Sequence, residues 1–169
     1  IGERAFVYCS SLTSVEIRNG VTSIGKSMFS GCSSLTNVKI PDSVTNIEFE
    51  AFHMCTSLTS IEIPDSVTSI GSFAFDGCSS LASIEIPNSV TTIGIDAFKG
   101  CSNHIRFRGE FATKDGRCLI IDGILCSFAP ARITEYTIPD SVTTIGEGAF
   151  SSCSNLTSIT IPDSVTAIE

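Results

Sequence analysis

Ser60–Cys78 reads SIEIPDSVTSIGSFAFDGC, and Ser83–Cys101 reads SIEIPNSVTTIGIDAFKGC. Two nearly identical stretches 23 residues apart mark an internal repeat, and a repeat decides architecture before any other motif does. Phe6, Phe29, Phe52, Phe75 and Phe98 keep this 23-residue step, as do Cys9, Cys32, Cys55, Cys78 and Cys101. Phe150 and Cys153 resume the pattern after a gap of 52, two periods plus six residues.

Each part of the cycle has a physical role. In LTSIEI (Leu58–Ile63), Ile61 and Ile63 alternate with Ser60 and Glu62, which predicts a short half-buried strand. Pro64-Asp65-Ser66 turns the chain, since Pro donates nothing to a ladder and Asp bonds a backbone N–H two residues on. Val67 and Ile70 belong to a second extended piece ending at Gly71, and Phe73–Cys78 is expected to form a helical or 3₁₀ turn. One such coil cannot bury its own apolar residues, so successive coils must stack at about the strand spacing of 4.8 Å. The reading is one solenoid over residues 1–169, with parallel strands near 12–17, 35–40, 58–63, 81–86, 104–109, 133–138 and 156–161.

Leu-x-x-Ile-x-Ile-Pro followed by Ile-Gly-x-x-Ala-Phe-x-x-Cys resembles the BspA-like, or Treponema pallidum type, leucine-rich repeats of bacterial and protozoan surface proteins. The resemblance covers essentially the whole chain. It implies a leucine-rich repeat solenoid with a parallel β-sheet on one face and short strands, turns and 3₁₀ or helical turns on the other. It also implies a cell-surface or secreted module that binds proteins, with adhesion to host or neighbouring-cell components as the role.

Composition narrows the function classes. The formal net charge of −8 argues against a nucleic-acid groove or a membrane surface, both of which favour clustered Lys and Arg. No apolar run approaches the roughly 18 residues of a membrane helix. Neither end carries a polar capping unit, which predicts a segment of a longer array.

Candidate chemistry is sparse. Six of the eight cysteines lie in the repeat column and read as buried free thiols, because equivalent positions in parallel coils point the same way and do not face each other. His53 and His104 stand without Cys pairs at zinc spacing. The corner column Asn19, Asp42, Asp65, Asn88, Asp140 and Asp163 reads as turn formers, with stacked calcium ligands as the alternative. No nucleophile elbow or Ser–His pairing occurs, and the Glu62 and Glu85 carboxylates lack a cleft. The expectation is a protein that is not an enzyme and carries no cofactor or metal.

The repeat fails from Glu110 to Arg132. There Asp122-Gly123 lies between CLII and ILCSF, a strong hairpin signal. A two-residue turn puts Ile121 opposite Ile124, Ile120 opposite Leu125 and Leu119 opposite Cys126, leaving Cys118 on the other face. A three-residue loop would instead bring Cys118 and Cys126 together. The insertion either plugs the gap with Leu119, Ile121, Ile124 and Phe128 or projects outward to a partner.

Outward strand positions form two columns. One reads Ser14, Asn37, Ser60, Ser83, Arg106, Glu135 and Ser158, the other Glu16, Lys39, Glu62, Glu85, Arg108, Thr137 and Thr160. Arg106, Arg108 and Lys39, with Glu62, Glu85 and Glu135, are the candidate binding residues for a protein ligand, such as a host extracellular matrix or surface protein. The plainer reading is a solvated face on which Arg108 pairs with Glu85. A structural spacer presenting another domain, or a carbohydrate-binding surface, are the alternatives for the whole.

Overall fold

The computed structural model describes residues 2–102, 105–130 and 132–169. The chain winds as a solenoid with two strand columns. The first column holds β1 (Ser14–Glu16), β3 (Asn37–Lys39), β6 (Ser83–Glu85), β8 (Arg106–Arg108), β11 (Glu135–Thr137) and β13 (Ser158–Thr160). The second holds β2 (Ser23–Ile24), β4 (Asn46–Ile47), β5 (Ser69–Ile70), β7 (Thr92–Ile93), β12 (Thr144–Ile145) and β14 (Ala167–Ile168). Between the two halves lies a hairpin, β9 (Cys118–Ile121) and β10 (Ile124–Phe128). Among the described residues the strands pair in parallel except in the hairpin, whose β9 also makes an antiparallel bridge from Leu119 to Ala112. Partners between regular coils are 23 residues apart, as in Ser23 opposite Asn46 and Asn46 opposite Ser69.

The first column is not one continuous sheet. It forms the pairs β1–β3, β6–β8 and β11–β13. The expected strand at 58–63 is not formed, although Ile61 and Ile63 keep the inward alternation of their neighbours, with 8% and 7% exposure. Side-chain burial there follows the sequence pattern while backbone pairing does not.

The third side of each coil is not helical. Local turn bonds alternate with bonds to the next coil: Met28, Ser30 and Cys32 donate to Gly25, Ser27 and Phe29, whereas Ser27, Phe29 and Gly31 donate to Phe49, Ala51 and His53. Residues with positive φ stand at both ends of each such segment, Ser27 and Gly31, then Glu50 and Met54, then Phe73 and Gly77. These left-handed residues stop the turns from propagating as a helix and free every second N–H for the neighbouring coil. The segment is thus at once a turn and a ladder.

Inside, the phenyl rings of Phe6, Phe29, Phe52, Phe75 and Phe98 stack at 5.4–5.6 Å between centroids, with adjacent planes within 12°. Beside them the thiols of Cys32, Cys55, Cys78 and Cys101 donate to the carbonyls of Phe6, Phe29, Phe52 and Phe75 at 3.1–3.2 Å. These cysteines are free, each acting as a small core residue that also satisfies the carbonyl of the preceding coil.

The hairpin divides the interior. Asp122 and Gly123 have φ of 50° and 80°, the paired positive values of a tight two-residue turn that Gly accepts without strain. Ile121 faces Ile124 and Ile120 faces Leu125 as expected, but a bulge at Cys126 sets Leu119 opposite Ser127 and Cys118 opposite Phe128. Cys118 and Cys126 are both free thiols, so neither disulfide register is realised. Leu119 and Ile121 are buried in a first core built from the regular coils. Cys118, Leu125 and Phe128 enter a second core with Ile138, Val142, Ile145 and Ala149. The plug reading therefore holds for Leu119, Ile121 and Phe128 but not for Ile124, which is 38% exposed.

Two outcomes follow from this packing. Phe52→Ala, fully buried between two rings, is expected to cost about 3–5 kcal/mol in urea unfolding. Phe6→Ala, 36% exposed at the end of the stack, should cost less than half as much. Burial also pushes the Cys55 and Cys101 thiols up to about 12. The unfolded chain gives up these protons near pH 9 while the folded chain keeps them. Stability is therefore full below pH 9 and falls between pH 9 and 12, by about 1.4 kcal/mol per pH unit for each thiol. Cys55→Ala should flatten this slope in unfolding curves measured across that range.

Candidate functional site

The repeat ends in a change of ring geometry. Phe107, 3% exposed in the middle of β8, meets Phe98 edge-on at 5.4 Å and 66°, closing the phenyl stack. Because side chains alternate along a strand, burying Phe107 turns Arg106 and Arg108 outward, about 7 Å apart on one face. Both are exposed.

On the far side of β8, the next regular strand is replaced by a turn. Phe107 N–H donates to Gly116 O at 3.0 Å, and Gly116 N–H closes the turn on Thr113 O at 2.7 Å. Gly116 has φ of 65°, and a Cβ there would lie 3.0 Å from both the Arg106 stem and Phe107 O. A glycine is thus needed for the turn to rest against the strand. This brings Lys114 beside Arg106 and Arg108, and Arg117 near Arg106. Lys114 lines, with Arg106, Arg108 and Asp115, an open depression of about 420 Å³.

Asp115 holds the turn in place. It accepts from the Thr113 hydroxyl, from Arg117 N–H at 3.0 Å and from Tyr136 OH at 3.2 Å. Burial alone would raise its carboxyl, but these hydrogen bonds and the Arg117 charge outweigh it and hold the group below the usual carboxylate range. The Cys118 thiol donates to the Tyr136 hydroxyl oxygen at 3.3 Å, and burial pushes that thiol up to about 11. Tyr136 packs edge-on against Phe128 at 4.7 Å, so one side chain ties β11 to both the turn and the hairpin. Burial lowers the Arg117 guanidinium, as does the nearby charge of Arg106, and Arg117 Nη1 donates to Ala129 O at 3.4 Å.

The other expected site residues are dispersed. Lys39 pairs with Glu16 at 3.3 Å, both largely exposed. Glu85 stands in ladder register with Arg108, yet the two form no ion pair, the described pairs being Lys39–Glu16, His53–Asp76 and Lys99–Asp96. Glu62 is exposed on the stretch that lacks a ladder, and Glu135 is exposed on β11, which pairs with β13 and not with β8. His53 lies 3.4 Å from Asp76, whose carboxyl is raised by burial against the opposing pull of His53 and Lys99. His104 lies outside the described residues. Sequence reasoning missed Lys114 and Arg117, although the basic residues of KDGR (Lys114–Arg117) so soon after RFR (Arg106–Arg108) carried the signal.

The 23-residue coils and their stacked core define a leucine-rich repeat scaffold. The chain belongs to the family described as BspA type leucine rich repeat region, which it matches in six copies over residues 1–113 and 126–169. The unmatched interval, 114–125, includes Lys114, Asp115, Gly116 and Arg117 and the first hairpin strand with its Asp122-Gly123 turn. Among solved structures it is similar to a leucine-rich repeat protein of Treponema pallidum, with 29% identity and a TM-score of 0.64 over 99% of this chain and 65% of that one. It is also similar to a leucine rich cell surface protein of Faecalibacterium prausnitzii, with 33% identity and a TM-score of 0.60 over 99% of this chain and 53% of that one. A Bacteroides ovatus leucine-rich repeat protein is 26% identical with a TM-score of 0.62, again over 99% of this chain and 65% of the other. The chain thus spans between about half and two thirds of these relatives' lengths. Comparison with the curated proteins gave no match. None of these relatives indicates a catalytic family.

Tyr136→Phe removes one hydrogen bond to the Asp115 carboxylate. It should raise the carboxyl's titration midpoint by NMR and cost about 1 kcal/mol in unfolding.

Proposed function

We propose that this chain is a non-enzymatic protein-recognition module, part of a cell-surface or secreted adhesin that engages a host or neighbouring-cell protein through the strand face at the interruption. The observation that carries the reading is the concentration of Arg106, Arg108 and Lys114 around one open depression, with the half-buried Arg117 near Arg106, on a chain whose formal net charge is −8. Local positive charge on an acidic solenoid steers an acidic protein surface to one place and repels approach elsewhere. Arg is a favoured interface anchor, and the stem of Arg106, already resting on the Gly116 turn, loses little freedom on binding. The family and the cell-surface relative support the class of function and the extracellular setting.

The regular coils before β8 favour a complementary spacer role for that half. Their outward positions are small or acidic, and the one cation among them, Lys39, is already paired.

Immobilised extracellular matrix proteins, probed with the chain and with Arg106→Glu/Arg108→Glu, test the reading. The expected result is saturable binding that weakens with salt and falls tenfold or more in the double variant, with an unchanged melting temperature. Equal binding by both proteins would contradict the patch, and binding by neither would leave the spacer.

A further inference from the structure

The second strand column ends on an open edge. In the regular coils Thr45, Thr68 and Thr91 each donate N–H to the threonine carbonyl one coil earlier, at 2.8–2.9 Å, and Gly71 and Gly94 donate to Ile47 and Ile70. The corresponding acceptors are the carbonyls of Thr91, just before β7, and Ile93, within it. No described residue donates to either. The ladder resumes only at the hairpin, where Thr143 donates to Gly123 O at 2.8 Å and Gly146 to Leu125 O at 3.1 Å. The two sheets, β2-β4-β5-β7 and β14-β12-β10-β9, are separate.

A crevice of about 280 Å³ lies between β7 and the hairpin tip. Its lining includes Ile95 and Ile124, large hydrophobic side chains that are 37% and 38% exposed. Asp122 and Glu147 also line it, and no Lys or Arg does. Thr91-Thr92-Ile93-Gly94 carries no charge, no proline and no bulge, so its side chains and backbone do not block strand addition. The coils on either side share the sequence SVTTIG, at 89–94 and 141–146.

We propose that this edge is a docking site for an extended segment of a partner protein, which adds to β7 as a parallel strand. Carbonyls two residues apart match the N–H spacing of an extended chain and give strand addition its affinity. An apolar side chain of the segment fits between Ile95 and Ile124, and a flanking Lys or Arg meets Asp122 and Glu147. The site is on a different column from the basic face and does not depend on it.

The probe is a fluorescein-labelled peptide, Lys-Ser-Val-Thr-Thr-Ile-Gly-Lys, titrated into the whole chain and followed by anisotropy. Saturable binding is expected, weakened tenfold or more by N-methylation of the first Thr and the Gly, and by Ile95→Glu or Ile124→Glu. Both positions are solvent-accessible, and far-UV circular dichroism checks that the variants fold. Asp122→Asn/Glu147→Gln should weaken binding at low salt, while Arg106→Glu/Arg108→Glu should leave it unchanged, which separates this site from the basic face. Absence of saturable binding, or binding indifferent to N-methylation, would overturn the proposal. So would sedimentation showing that a second copy of the chain occupies the edge and resists competition by the peptide.

Discussion

A phenyl ring can lie flat on the ring of the next coil only if both coils place it at the same phase. That constraint governs the rest of the molecule. It holds the 23-residue step, aligns the thiols with the carbonyls of the preceding coil, and brings the alternate N–H groups of each turn segment to their acceptors. The fully buried rings of Phe29, Phe52 and Phe75 each remove a large apolar area from water, at about 25 cal/mol per Å². The backbone bonds between coils add direction to that gain. Because each coil touches only its neighbours, stability accumulates along the array.

The stack cannot continue past Phe98, since the next inward ring, Phe107, stands edge-on. The hairpin solves the resulting problem of an exposed core edge. It offers Leu119 and Ile121 to one side and Leu125 and Phe128 to the other, so a single two-stranded element closes one core and opens the next. Irregularity here also places things that regular coils cannot. The turn at Thr113–Gly116 sets two further cations beside β8, and the resumed ladder leaves β7 with acceptors facing a crevice.

Much of this was legible in the residues. The spacing of Phe and Cys, the Pro-Asp corner and the Asp122-Gly123 turn each point to a specific local geometry, and the columns and hairpin follow. What was not legible depends on context. Leu58–Ile63 has the alternation of a strand but no ladder, because hydrogen bonding depends on how neighbouring coils approach and burial pattern does not report it. The bulge at Cys126 shifts Leu119 from Cys126 to Ser127, a slip of one residue that no pairwise pattern specifies. Phe73–Cys78 has near-helical apolar spacing, yet left-handed residues at its ends divert half its N–H groups outward. For the site, Arg106 and Arg108 could be found by strand alternation alone. Lys114 and Arg117 join them only through a turn held by Asp115 and Tyr136, 21 residues apart.

The repeats supply shape, and the proposed recognition surfaces lie at the interruption, where the hairpin is an integral wall between two cores. Hydrogen exchange followed by mass spectrometry tests this most directly. Peptides covering 118–128 should exchange about as slowly as those covering Val67–Phe75, since both open only when a core opens. Complete exchange of the hairpin within seconds, with the regular coils still protected, would make it an outward arm and contradict the account.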